Sequence, residues 1–368
     1  MIHMLEPMDN IPNPESPENG FEKQLPESDT NSCDPEREAA LQRGMRRQFN
    51  RIGFAFIAVM VIWQAIALGA GFVMAEIEKI FDVPAVDAYF RYYLLINEAS
   101  LAIAIFISGL ILRPASKCVP EKQPFSAGRF IKFLMICFAI AIVGSIVGTL
   151  FLALWNAITG RSVGNTIAEL MVNENPWMML LTVGILAPVL EELFFRKWII
   201  DRTRQYGEKI CIILSAFMFA LFHQNFSQFF YAFAVGLILA YIYCRSGKIW
   251  IPMLLHAIFN CCLGVVSSLI SPRMLEITEK IPNLTTDEIM ALPSNELLLI
   301  CLAGLYYLLL GVMIIIGFVI LCIQIKRVRL RPAETPLPAK SRSAILGNAG
   351  MLVALVLAAA IMICSLFI

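Results

Sequence analysis

The sequence predicts an all-α, polytopic integral membrane bundle of about nine transmembrane helices, and three observations lead there. Of 368 residues, 58% are hydrophobic and 15% charged, against roughly 45–50% and about 25% in ordinary soluble domains. Apolar runs able to cross ~30 Å of hydrocarbon, which takes about 20 residues, recur along the chain. Lys and Arg are divided among short connecting segments instead of being pooled, as expected of loops flanking spans. That dispersal and the net charge of +1 exclude a basic surface for nucleic acid. The lipid bilayer is the expected surrounding.

Residues 1–42 are rich in Pro, Glu, Asn and Asp and hold ten acidic side chains. With little to bury, they predict a disordered acidic cytoplasmic tail and not a signal peptide. The nine spans fall near 53–76, 92–112, 131–155, 177–200, 209–225, 227–244, 249–270, 298–324 and 345–368. They group as N-terminal membrane helices over 43–170, a core over 171–270, and an extracytoplasmic loop with the last helices over 271–368. Arg43, Arg46, Arg47 and Arg51 precede the first span, and the even loops carry Arg113 and Lys117, Lys197 and Arg202, Arg245 and Lys248, and Lys326 to Arg342. Basic residues near span ends stay on the cytoplasmic side, so the expectation is a multi-pass cell-membrane protein, N-terminus cytoplasmic and C-terminus extracytoplasmic. Gly144 and Gly148 form a GxxxG that permits close helix approach. Most of the ten cysteines lie in apolar runs with no CxxC pair, which reads as small hydrophobes and neither a disulfide framework nor a thiolate metal site.

Ionisable groups inside a bilayer cost several kcal/mol unless partnered, so those within spans are the functional candidates. The fourth span carries Glu191, Glu192 and Arg196; the fifth ends on Phe219 and His223; the seventh holds His256 and Asn260. His256 and Asn260, at i and i+4, share a helix face. Adjacent residues diverge by ~100°, so the two glutamates cannot act alike: Glu192 is placed to pair with Arg196, and Glu191 is freer. Pro188 lacks the N–H that would bond the Gly184 carbonyl, which predicts a kink one turn before the carboxylates. Peptide hydrolysis needs a water deprotonated near neutral pH, a donor to the leaving nitrogen and a stabilised oxyanion; a desolvated Glu, two His and an Asn supply those parts. Each residue also has a structural reading: Glu192 and Arg196 as a clamp, a buried His as a packing hydrogen bonder, Phe219 as packing, and Asn97 with Glu98 as groups reaching the headgroups.

At these residues the sequence resembles the CAAX-processing and bacteriocin-immunity (Abi) family of membrane proteases. Three motifs match in order: EExxxR from Glu191–Glu192 to Arg196, FxxxH from Phe219 to His223, and HxxxN from His256 to Asn260. The resemblance covers about residues 170–270 and implies an intramembrane endopeptidase acting on membrane-associated or lipid-anchored substrates. By motif, Glu191 is the implied general base and His223 its partner, with His256 and Asn260 on the oxyanion side, Arg196 and Phe219 supporting. The implied partner is a peptide or membrane-protein substrate, cut near the cytoplasmic side. Zn²⁺ is left open: His223, His256 and Glu191 make a first shell with an open fourth position, while a Glu–His pair also activates water alone, and HExxH spacing is missing. A catalytically silent scaffold and a proton-coupled transporter are the alternatives from other classes. Counting from Lys209 and Lys248 puts His223 ~21 Å deep but His256 only ~12 Å. The depths are expected to converge because the fifth helix starts below the membrane surface or tilts, or because the fourth runs past Lys197 as a long helix.

Overall fold

In the computed structural model, residues 35–164, 174–280, 285, 292–334 and 337–367 are described. The helices run α1 (Pro35–Phe81), α2 (Ala85–Arg91), α3 (Tyr93–Leu112), α4 (Ala127–Thr159), α5 (Pro176–Tyr206), α6 (Glu208–Phe222), α7 (Phe226–Ser246), α8 (Trp250–Ile277), α9 (Ser294–Gln324), α10 (Ser341–Leu346) and α11 (Ala349–Cys364). Seven of them, α1, α3, α4, α5, α7, α8 and α9, are long and apolar enough to cross a membrane. The other two apolar runs also fold as helices, α6 with 15 residues and α11 with 16, short of the ~20 that span a bilayer upright. Among the described residues there is no strand, as backbone satisfaction in lipid requires of an open bundle.

The expected disordered tail needs correction at its C-terminal end. Residues 1–34 lie outside the described residues, but helix begins at Pro35. Pro suits a first helical turn and the acidic Glu36 and Glu38 favour the N-terminal dipole; their turn then leads without a break into the apolar span.

Helix α1 packs on α3 and α11, while α4 packs on α7 and α9. Gly144 and Gly148 make the α4–α7 contact: a Cβ at Gly144 would come within 2.5 Å of the Tyr231 Cα, and one at Gly148 within 3.1 Å of the Ser227 carbonyl oxygen. This is the small-residue seam of the GxxxG reading. The outer helices present apolar side chains outward, and only 11% of the most apolar stretch of α9 is buried, as a lipid-facing helix demands.

At the basic end of the bundle, a polar network ties the helices. Lys197 pairs with Asp201 at 2.8 Å, Tyr243 donates to the same carboxylate at 2.7 Å, and Arg202 donates to the Leu112 carbonyl at 3.0 Å. Beneath it, Glu208, 1% exposed, pairs with Arg245 at 3.0 Å. Helix α5 therefore continues from Lys197 to Tyr206, ~13 Å at 1.5 Å per residue, and α6 turns back from there. That overhang brings His223 level with His256.

The alternation of basic loops predicts that topology reporters fused at Lys117 or Arg331 read as cytoplasmic and one at Lys280 as external. A cytoplasmic reading at Lys280 contradicts the orientation.

Candidate active site

Helix α5 is not uniformly α-helical where it carries the carboxylates. Leu180–Leu186 and Leu193–Ile200 are π-helical and bracket an α-helical turn, Ala187–Glu192. Pro188 explains the first of these. Its ring cannot donate, and the register ahead of it widens so that Ala187 N–H bonds the Thr182 carbonyl, five residues back. In that register the Val183 carbonyl is the one Pro188 would have served. It accepts instead from Asn260 Nδ2 at 3.0 Å. The expected kink thus takes the form of a π-segment, a device common at functional sites, with a side chain from α8 completing its hydrogen bonding. Facing it, α8 has its own π-segment, Cys261–Val266.

The divergence of the two glutamates is as the 100° step requires. Glu192, with no exposed surface, faces the protein: Oε2 lies 3.1 Å from Arg196 Nε and Oε1 lies 3.0 Å from His256 Nδ1. The Arg196 contact is a close ion pair without the alignment of a hydrogen bond. Arg196 is itself fully buried, and its guanidinium lies over the face of Phe219, 4.4 Å from the ring centroid, where the ring quadrupole attracts a cation. Phe219 also meets His223 and His256 nearly at right angles, with centroids 4.9 and 5.7 Å apart. It packs three site residues at once, a larger part than ordinary core packing.

Glu191 points the other way, into a cavity of about 500 Å³ that His223, His256 and Asn260 also line. The sequence candidates divide accordingly. Glu191, His223, His256, Asn260 and Phe219 line the cavity; Glu192 and Arg196 stand behind its wall. His256 joins the layers, its Nδ1 on Glu192 and its Nε2 3.7 Å from Glu191 Oε2.

Ring tautomers follow from the partners. His223 caps the C-terminus of α6, and its Nδ1 is 2.9 Å from the Phe219 carbonyl oxygen, which only accepts, so Nδ1 is the donor. His256 Nδ1 faces Oε1 of the Glu192 carboxylate, whose other oxygen pairs with Arg196, and donates likewise. Both rings therefore hold Nε2 free of protein hydrogen bonds, the arrangement that orients a histidine for proton transfer or metal ligation. Among the described residues, however, no three His, Cys, Asp or Glu side chains stand close enough to form a ready metal-binding group. As placed, His223, His256 and Glu191 share a cavity without forming a first shell.

Glu98 does not reach outward from the bundle: it is 8% exposed and lines the cavity with Asn97, Trp63, Gln64, Gln224, Gln228 and Tyr231. The lining residues of α1, α3, α5, α6 and α7 lie in the helix halves away from the basic loops, whereas His256, Phe259, Asn260 and Leu263 lie in the half of α8 nearest Lys248. Gln64 and Gln224 were visible as polar residues in or beside apolar runs, but nothing in the spacing joins the first two spans to the fourth.

Residues 173–262, the segment that carries Glu191, Glu192, His223, His256 and Asn260, match the family described as "Type II CAAX prenyl endopeptidase Rce1-like". A Bacillus subtilis protein named "Putative membrane peptidase YdiL" is 29% identical over 102 residues, which are 27% of this chain and 42% of that protein. The chain thus spans less than half the length of this curated relative. No solved structure matches the chain.

Removing Glu192's charge leaves Arg196 buried and unpaired, which costs ~3–5 kcal/mol. Glu192→Gln is expected to lower the unfolding midpoint of the purified protein substantially, and the double change Glu192→Gln with Arg196→Met to recover part of it. Equal stabilities of wild type and Glu192→Gln contradict the ion pair.

Proposed function

We propose that the protein is an intramembrane endopeptidase that hydrolyses a peptide bond of a membrane-associated or lipid-anchored substrate by a Glu191-activated water. The observation that carries this reading is the convergence of Glu191, His223 and His256 on one cavity inside the bundle, with both imidazoles held by their Nδ1 atoms. A transporter or a scaffold needs no such pair of oriented Nε2 atoms beside a carboxylate.

The steps follow from the atoms available. Water bound between Glu191 and the scissile carbonyl loses a proton to the Glu191 carboxylate as its oxygen attacks the carbonyl carbon. Negative charge then develops on the former carbonyl oxygen. His256 Nδ1–H is held by Glu192, and once the ring takes up a cavity proton on Nε2 that atom donates to the oxyanion. Asn260 Nδ2 carries two hydrogens; one holds the Val183 carbonyl and the second is available to the oxyanion. Collapse breaks the C–N bond, and the proton taken by Glu191 passes to the leaving nitrogen, with His223 Nε2 accepting and returning a proton in the cavity. The rest of the site works through position: Arg196 holds Glu192, Glu192 holds His256, and Phe219 fixes the planes of both rings. A divalent metal, were one held by His223, His256 and Glu191, would polarise the carbonyl and the water; no step above is routed through it.

Two experiments test the proposal. In cells expressing Glu191→Gln, which keeps the shape but cannot take a proton, membrane and secreted proteomes are expected to accumulate uncut precursors at normal levels of the variant. A proteome like that of wild-type cells contradicts the proposal. Elemental analysis of purified wild type and His223→Ala addresses the metal: stoichiometric zinc lost in the variant assigns it a place in the site, and full activity of metal-free protein assigns the chemistry to the side chains alone.

A further inference from the structure

The same cavity holds a second carboxylate that the mechanism does not use. Glu98, in the first turns of α3, is more than nine-tenths buried, and its Oε2 has no hydrogen-bond partner among the described residues. Its Oε1 takes only a 3.4 Å contact from Asn97 Nδ2, while Asn97 Oδ1 is held by Trp63 Nε1 at 3.0 Å. Trp63 in turn stacks on Phe222, one residue before His223, with centroids 4.9 Å apart. Glu98 is therefore set at the end of a fixed chain of side chains, with one oxygen left over. A buried acceptor without a partner costs free energy that a bound group would return.

The charge balance of the cavity says what that group is. Among the described residues its lining includes Glu98 and Glu191, two histidines and several neutral amides, but neither Lys nor Arg, and Arg196 is committed to Glu192 behind the wall. A cavity walled by low-dielectric side chains and carrying carboxylates without a resident cation is complementary to a cation. The absence of a ready three-ligand metal group among the described residues favours an organic cation with its own N–H donors over a metal ion. Trp63, Tyr93, Leu94 and Leu101 beside Glu98 offer apolar and aromatic surface to the stem of such a group, as long cationic side chains use.

We infer that Glu98 is a recognition residue for an ammonium or guanidinium group of the substrate, a Lys or Arg side chain or a free α-amino group, seated in the same cavity as Glu191. This rests on the peptidase reading for the identity of the substrate, but the binding itself needs no turnover. Charge-assisted bonds to a buried carboxylate are the strong class of hydrogen bond, so specificity arises where the sequence motifs do not reach.

The test is a titration of the full-length protein in detergent with n-butylammonium chloride, the lysine side-chain analogue, and with n-butanol as its neutral match. Thermal unfolding and tryptophan fluorescence are the readouts. Wild type is expected to be stabilised saturably by the ammonium ion and not by the alcohol, with affinity falling about tenfold or more in Glu98→Gln. Glu98→Asp keeps the charge but withdraws it by a methylene, and is expected to retain weakened ammonium preference; it decides the matter if Glu98→Gln does not fold. The inference is overturned by an equal response to ammonium and alcohol, by unchanged ammonium affinity in Glu98→Gln, or by equal protection from K⁺ or Zn²⁺, which assigns an inorganic ion to Glu98. Because Glu191→Gln proteomes test cleavage and this titration tests binding, either result stands if the other fails.

Discussion

The Glu192 carboxylate, buried without exposed surface and shared between Arg196 and His256, is the interaction on which the rest of the site depends. Two ions taken out of water return their desolvation cost only when the geometry is good and the remaining valences are filled. Here His256 occupies one carboxylate oxygen and the Phe219 ring lies against the guanidinium, whose nitrogens take no hydrogen bond among the described residues. The ion pair thus does little for net stability but fixes which nitrogen of His256 faces the cavity. Glu191, one residue earlier and rotated by ~100°, is left to the cavity side, with His256 Nε2 3.7 Å from its Oε2.

The backbone is shaped to the same end. A regular helix through Pro188 would leave a carbonyl without a donor in a place with little water to satisfy it. The π-segment moves the deficit to Val183, and Asn260 fills it from the neighbouring helix. The same asparagine lines the cavity, so the motif residue on α8 serves both the helix seam and the proposed oxyanion site. Loss of Asn260 is accordingly a structural change as well as a chemical one.

Much of this was legible in the sequence. Hydropathy and the distribution of Lys and Arg gave the helical bundle, because a bilayer forces backbone bonds within each span and puts a free-energy cost on each buried charge. Helical spacing alone separated Glu191 from Glu192 and paired the latter with Arg196. The depth mismatch between His223 and His256 pointed to an overhanging α5, which the Lys197–Asp201–Tyr243 network now accounts for. What stayed hidden were long-range placements. Glu98 sits near a span end, where a carboxylate normally reaches water, and only the packing of α3 against α1 and α5 encloses it. The register shift at Pro188 was readable as a break but not as a π-turn, since that choice depends on Asn260, 77 residues away. The beginning of α1 was concealed by an acidic, Pro-rich composition that continues into its first turn.

The most direct test of the account is the protonation pattern of the His256 ring, read by ¹⁵N NMR of histidine-labelled protein in lipid, with His223→Gln used for assignment. The account predicts a proton on Nδ1 engaged with Glu192 in the resting state, with Nε2 unprotonated in the neutral ring, and loss of that preference in Glu192→Gln. A resting His256 protonated on Nε2 alone, or a ring indifferent to Glu192→Gln, contradicts it.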